Sequence, residues 1–318
     1  MICFLGVFLF MNSFENHAGF NISSSRLQVV EINFKSDQFQ LENVDEAYFN
    51  EHLNLGYDKE TKINSLLQGA YNELLIRKPL KCNFVSFTLP LDLFQIMQVP
   101  YDNTLLNQDL IEEFRWEYSI LYPNLPINDL VIQYMEIDKN KINEAGTAIV
   151  IALPRRFLQI IHNFCTHNKL KIRFIDNAHI ASDRALFVSN VLIDKGLVLS
   201  VYFSDNNLSV IFSYDSKPVY FKIIPLNDAG QITPVLLDEI NNNQFIKVNK
   251  NFIENAFIAG EDLSVSLAKS LSDAIGLNFK FFNPFEKIKP ETNLHENKCY
   301  VEKYNSFSPA AGIALRLA

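Results

Sequence analysis

The sequence predicts a two-lobed α/β protein, each lobe opening with a three-stranded meander, and three observations carry that reading. Closely spaced strands are expected at 18–22, 26–34 and 38–44, and the same triplet returns at 196–203, 207–214 and 218–226. After each triplet the pattern changes to alternating helix and strand. With 318 residues the chain is long enough to build two cores. No stretch rich in Pro, Gly or Ser divides the halves, so the lobes are expected to pack into one body around a cleft, a common ligand position in α/β architecture.

The elements follow from periodicity. GFNISSSRLQVVEI (19–32) alternates apolar residues up to a serine triplet and away from it, the pattern of a hairpin with a polar tip. Ile63, Leu66, Leu67, Tyr71, Leu74 and Leu75 form a stripe at helical spacing, predicting a helix over 60–76. FVSFTLP (84–90) and LFQIMQV (93–99) read as strands ending at prolines. A helix is expected over 104–120, with Thr104 as its N-cap, followed by a strand, LVIQYMEI (130–137). TAIVIALP (147–154) reads as a buried strand leading into a helix from 155 to 168. KIRFID (171–176) is the next strand, and 178–191 the next helix.

Beyond the second triplet, a helix over 228–241 precedes the strand NAFIAG (255–260), a helix over 262–275 and the short strand FKFF (279–282). SPAAGIALRLA reads as a helix with Ser308 as N-cap and Pro309 in its first turn. The first lobe is expected over 13–190, with an inserted subdomain at about 80–145. The second is expected over 191–318, its last helix (308–317) packing back on the body.

Charge and cysteine usage narrow the function. A net charge of -8 argues against a nucleic-acid partner, since such binding draws on phosphate neutralisation by Lys and Arg. The basic run Lys169-Leu170-Lys171-Ile172-Arg173 alternates with apolar residues and reads as one solvated face of a strand. Cys3, Cys82, Cys165 and Cys299 lie far apart without a CxxC pair, which points to a reducing compartment. Of His162, Cys165 and His167, only the first two share a helix face, so they read as structural residues and no metal is expected. The apolar start MICFLGVFLFM is shorter than the roughly 20 residues of a membrane span. It also lacks the basic n-region and small-residue cleavage site of a signal peptide. Translation from Met11 and no direct membrane span are the simpler expectations.

The order of these segments resembles the actin-like ATPase fold, and in detail the type IV pilus assembly PilM family, over residues 19–317. FTLPLDLFQIMQVPYDNTLLNQDLIEEFRWEYSILYP (87–123) resembles that family's insertion: a strand, a proline-ended strand and an acidic helix carrying Arg115, Trp116 and Glu117. The YPNLP turn (122–126) and a strand ending in Tyr134 follow as the pattern requires. TAIVIALPRRFLQIIHNFC resembles the return into the first lobe, NAHIASDRAL its closing helix, and AAGIALRL the small-residue final helix.

The resemblance implies three nucleotide-contacting segments, and here the chain departs from the pattern. Where the family offers Asp, Gly and then Lys, this chain has Asn21, Ser23 and Gln28. Where it offers Asp, an apolar residue and Gly, this chain has Ser200, Val201 and Tyr202. The paired glycines of the third segment become Ala259-Gly260-Glu261-Asp262. A charge-assisted hydrogen bond contributes about 1.5–3 kcal/mol. Losing two or three costs roughly 4 kcal/mol or more, near a thousandfold in affinity. Magnesium loses the carboxylates it prefers, and no general base for hydrolysis is evident. The serine triplet is therefore expected to be a structural hairpin, leaving Ser24, Ser25 and backbone N–H groups as the only means of weak ATP/Mg binding. The chain is not expected to be an enzyme.

What the resemblance implies is assembly: a scaffold at the cytoplasmic face of the inner membrane. Such a scaffold holds the cytoplasmic tail of a PilN-like membrane protein in a groove between the first lobe and its insertion. It thereby links the platform of a type IV pilus, or of related type II secretion, to its motor. The residues add their own argument. The 104–120 helix carries the only Trp of the chain beside Phe114, Arg115 and Tyr118, residue types that dominate interface hot spots. Asp109, Glu112, Glu113 and Glu117 would complement a basic tail. Glu112, Arg115, Trp116 and Tyr118 are the partner-binding candidates; the competing reading packs Trp116 and Phe114 onto the insertion's sheet. The alternatives are a nucleotide-binding actin-like switch, or a degenerate scaffold of another envelope machine.

Overall fold

The computed structural model describes residues 16–189, 195–248, 250–261 and 263–317. The expectations placed on Met1, Cys3, Met11 and Asp262 fall outside these residues.

Strands β1 (His17–Ile22), β2 (Arg26–Lys35) and β3 (Gln38–Tyr48) form an antiparallel meander. Helix α1 (Glu60–Arg77) then carries the chain over to β4 (Phe84–Leu89), which pairs parallel with β1. A parallel neighbour requires such a crossover, because a tight turn can only reverse direction. Strands β5 (Gln95–Pro100), β6 (Leu130–Ile137) and β7 (Thr147–Pro154), with helix α2 (Asn107–Leu121), make a separate antiparallel sheet ordered β5-β7-β6. Helix α3 (Arg155–His167) returns the chain to β8 (Lys171–Asn177), parallel to β4, and α4 (Ala178–Ser189) follows.

The second half repeats the plan with β9 (Leu197–Ser204), β10 (Asn207–Tyr214), β11 (Lys217–Pro225), α5 (Ile232–Asn241), β12 (Ile253–Gly260), α6 (Val265–Ile275) and β13 (Phe279–Lys280). The two sheets have the same strand order, β3-β2-β1-β4-β8 and β11-β10-β9-β12-β13. The first gains a sixth strand, β14 (Lys289–Pro290), at its β3 edge. Two short helices, α7 (Lys298–Val301) and α8 (Ser308–Ala314), end the described chain.

Alternation along β7 explains how the insertion sits. Ala148, Val150 and Ala152 pack under α2 with Leu110, Phe114 and Tyr118, while Ile149 and Ile151 turn to the second lobe's core. The insertion therefore leans on both lobes, and Gln98 Nε2 donates to the carbonyl of Val219 on β11 at 3.1 Å.

Helix α8 lies buried between β1 and α4. A Cβ on Gly312 would stand 1.7 Å from the carbonyl oxygen of Ala181, and one on Gly19 would stand 2.1 Å from that of Ala310. Only glycine permits both approaches, which gives the small-residue ending its physical reason.

Several boundaries differ from expectation for local reasons. Helix α2 begins at Asn107 because the backbone N–H and hydroxyl of Thr104 both donate to the Asp102 carboxylate, at 2.9 and 2.7 Å. Thr104 thus closes an Asx turn and caps nothing. Ser264 caps α6, so that helix starts after it rather than at 262. Ser308 is itself the first helical residue, and its hydroxyl accepts from Ser182 at 2.8 Å. FKFF contributes only Phe279 and Lys280 to the sheet.

Candidate functional site

The two hairpin tips, one from each lobe, meet where Ser24 contacts Asp205. Asn21 and Gln28 are cross-strand partners on β1 and β2, and the Asn21 amide donates to the Gln28 side-chain oxygen at 3.0 Å. The Thr88 hydroxyl, on β4, donates to the Asn21 oxygen at 2.7 Å. Gln28 Nε2 in turn faces Glu46 Oε2 at 3.3 Å and Ser306 Oγ at 3.4 Å. All five side chains are buried. Positions 21 and 28 therefore belong to a chain of bonds internal to the protein, neutral until it reaches Glu46.

Glu46 gathers the nearby cations. Arg26, itself fully buried, stands 3.4 Å from Glu46 and donates to the Tyr48 hydroxyl at 2.9 Å, and Lys303 pairs with the other carboxylate oxygen. Removing Glu46 would take the carboxylate away from the buried Arg26 guanidinium.

The serine triplet divides its hydroxyls. Ser23 Oγ accepts from the backbone N–H groups of Ser25 and Arg26, both at 3.3 Å, so it closes its own turn. Ser24 donates to the Asp205 carboxylate at the tip of the second lobe's hairpin. The backbone carbonyls of Ser24 and Ser25 accept from Leu53 and Phe49, each at 2.8 Å.

In the second lobe, Ser200 lies beneath the tip rather than in it. The His179 ring bonds Ser200 through Nε2 at 3.0 Å and Ser209 through Nδ1 at 2.7 Å. Burial pushes His179 down to about 3, so the imidazole is neutral. Burial pushes Asp183 up to about 7, against the pull of the Ser200 and Ser213 hydroxyls and of Arg184. Tyr202 stacks on His179, with centroids 5.6 Å apart, and is fully buried.

Gly260 is required by strand contact. Its φ is +148°, and a Cβ would meet the Phe203 carbonyl at 2.3 Å where β12 closes on β9. Glu261 accepts from the Ser204 hydroxyl at 2.9 Å; burial first, then the Asp205 charge, pushes it up to about 7. Positions 21 and 200 offer no carboxylate, position 28 offers no cation, and the side-chain amides at 21 and 28 are bonded to the protein.

Helix α2 presents the second candidate surface. Its buried side is Leu110, Phe114 and Tyr118. Tyr118 is fully buried and its hydroxyl donates to the carbonyls of Gln95 and Val150, each at 2.9 Å. Arg115 donates to the carbonyls of Ile127 and Leu130 at 2.9 and 3.4 Å, tying α2 to the following turn. The geometry thus assigns Tyr118 and Arg115 to the insertion's own framework. Trp116 is 60% exposed, and Ile120, one helical turn on, is 55% exposed. Asp109 and Glu112 are exposed on the same side. Phe114 packs inward as the competing reading had it, while Trp116 does not.

Between α1 and α3, beside the insertion, lies a concavity of about 570 Å³ whose lining includes Asp58, Glu60, Arg156, Gln159 and Asn163. Sequence reading missed this place, because its residues come from two segments about 100 positions apart and form no local motif. His162 and His167 are exposed while Cys165 is buried in the core. No group of three metal-ligating side chains occurs among the described residues. None of their helices is long and apolar enough to cross a membrane.

No protein-family model and no curated protein matches the sequence. Solved structures do match. A chain of a "PilM-PilN type IV pilus biogenesis complex" shares the fold with a TM-score of 0.74 at 18% identity, over 94% of this chain and 98% of that one. A Bacteroides thetaiotaomicron protein with actin-like ATPase fold and unknown function matches with a TM-score of 0.55 at 10% identity, over 97% and 99%. The chain has the actin-like ATPase fold, with an insertion between the fourth and fifth strands of its first sheet.

Proposed function

We propose that this chain is a protein-binding scaffold of the actin-like ATPase fold that has given up nucleotide chemistry. On this reading it serves a type IV pilus or related secretion platform at the cytoplasmic face of the inner membrane. One observation carries the loss of nucleotide: the bond between Asn21 and Gln28, which turns two positions that should address phosphate and metal toward each other. A ligand would have to break a buried hydrogen-bond chain to reach them, and would gain no charge in return.

The partner is the basic cytoplasmic tail of a PilN-like membrane protein. The similarity to a chain solved in a PilM-PilN complex supports this choice, as does the outer face of α2. There Trp116 and Ile120 offer apolar area, flanked by the carboxylates of Asp109 and Glu112. Glu112 also pairs with Arg115 at 3.5 Å, so Asp109 is the carboxylate left to meet a basic segment beside the aromatic anchor.

Calorimetric titration tests both halves. Magnesium-ATP up to millimolar concentration gives no saturable heat, and a basic tail peptide taken from a short single-span protein encoded beside this one gives a saturable isotherm. Micromolar ATP binding would make a nucleotide-controlled switch the better reading. A silent peptide with silent ATP would assign the scaffold to another envelope machine.

A further inference from the structure

The apolar residues flanking the two hairpin tips pack into separate cores. Ile22 and Leu27, on either side of the first tip, belong to the first lobe's core. Phe203 and Leu208, on either side of the second, belong to the core of the second lobe. Further along the strands the lobes share one apolar cluster, which includes Val30, Ile32, Val198 and Ala259. The lobes are therefore joined there by apolar packing, and at the tips by polar groups.

Those polar groups are two carboxylates of the second lobe set against the serine turn of the first. Ser24 donates to Asp205, and the Ser23 hydroxyl faces Glu261, which also accepts from Ser204 at 2.9 Å. The backbone fixes both acids. Asp205 sits at φ +50° in the turn between β9 and β10, a left-handed conformation that Asp and Asn tolerate. Glu261 directly follows Gly260, and its N–H donates to the Phe203 carbonyl at 3.1 Å. A turn that presents hydroxyl donors suits an oxyanion, and here the chain supplies its own.

The surrounding charges decide when this contact holds. Glu261 faces Asp205 from the β9–β10 turn, Arg26 from β2 and the Tyr202 hydroxyl from β9. Asp205 in turn faces Asp92, from the turn after β4. Arg26 already pairs with Glu46 and Tyr48, so it offsets these carboxylates only in part. With both acids ionised, Glu261 stands beside a like charge and away from water; a proton on Glu261 relieves both costs. We propose that Asp205 and Glu261 form, with Ser23 and Ser24, a proton-sensitive latch between the lobes, closed while Glu261 is protonated and loosened when both carboxylates are ionised. Glu261, pushed up to about 7 in the closed form, returns toward the ordinary value near 4.3 once water reaches it. The closed form binds the proton more tightly, so closure is full below about pH 4 and is lost as pH rises through 7. The latch uses no residue of α2, and its failure would leave the proposed partner surface untouched.

The test is hydrogen–deuterium exchange of the full chain, corrected for the intrinsic pH dependence of amide exchange. Phe49 and Leu53, whose N–H groups donate to the carbonyls of Ser25 and Ser24, report on the first tip; Leu226, which donates to Asn206, reports on the second. Between pH 6 and pH 8 both tips are expected to lose protection by about tenfold. Glu261→Gln keeps them protected and flat across this range. Asp205→Asn shrinks the loss, because the like charge beside Glu261 is gone. Ser24→Ala lowers protection at Leu226, in the lobe it does not touch, at either pH. Far-ultraviolet circular dichroism checks that each variant is folded. Equal protection of the wild type at both pH values, a Glu261→Gln variant that still responds to pH, or a Ser24→Ala effect confined to the first lobe overturns the proposal.

Discussion

The side-chain amide of Asn21 donates to Gln28 at 3.0 Å, and Thr88 holds the Asn21 oxygen from the other side at 2.7 Å. Two buried neutral amides thus satisfy each other inside the first sheet. A carboxylate at position 21 would lose the donor that Gln28 accepts from and would be buried without a cation. Asn21→Asp is therefore expected to destabilise the protein by about 2–4 kcal/mol, without creating ATP binding. Urea unfolding measures the first effect and calorimetry the second. A variant of unchanged stability would show that the amide chain contributes nothing.

On α2 the neighbours Trp116 and Tyr118 are expected to separate cleanly. Tyr118→Phe removes the one O–H shared by the Gln95 and Val150 carbonyls and costs about 1–3 kcal/mol, with capture of the basic tail intact. Trp116→Ala stays within about 0.5 kcal/mol in stability. It weakens tail binding by roughly 2 kcal/mol, near thirtyfold. Thermal melts and peptide titration of the same two variants decide this. Loss of binding in Tyr118→Phe alone would reverse the assignment.

Close packing of α8 gives a third expectation. Gly312→Ala pushes a methyl group into the Ala181 carbonyl, which must move by more than an ångström. The cost is expected at about 3 kcal/mol or more, beyond the usual range for overpacking because the obstacle is backbone. A Tm lowered by several degrees in differential scanning calorimetry would agree; an unchanged Tm would mean that α8 can shift freely.

The pH dependence turns on Asp183, whose carboxyl burial pushes up to about 7. Its folded value lies above the unfolded one, near 3.9. Its contribution to stability is therefore full below about pH 4 and is lost as pH rises through 7. Asp183→Asn removes that titration. The variant should gain on the wild type by roughly 1–4 kcal/mol between pH 5 and pH 8. His179 and His17, held down to about 3 and about 4, act oppositely on both proteins: their contribution is full above pH 6.5 and is lost as pH falls. Parallel stability curves for the two proteins would remove Asp183 as a titrating group.

The sequence by itself determined the elements. Twelve of the thirteen expected strands lie within two residues of their observed bounds, and the stripe from Ile63 to Leu75 located α1, because both periodicities are printed in neighbouring residues. Set against the family pattern it resembles, it also offers no carboxylate at positions 21 and 200. What those positions do instead was decided only in three dimensions. Asn21 meets Thr88 across 67 positions, Gln28 meets Ser306 across 278, and Ser24 meets Asp205 across 181. Arg115 and Tyr118 look like interface residues in sequence, because exposed and buried members of a hot-spot composition are spelled alike. Only the placement of the Gln95, Ile127 and Val150 carbonyls turns them inward. A buried polar group takes whichever partner the fold brings within 3 Å, and loop closure brings that partner from anywhere in the chain.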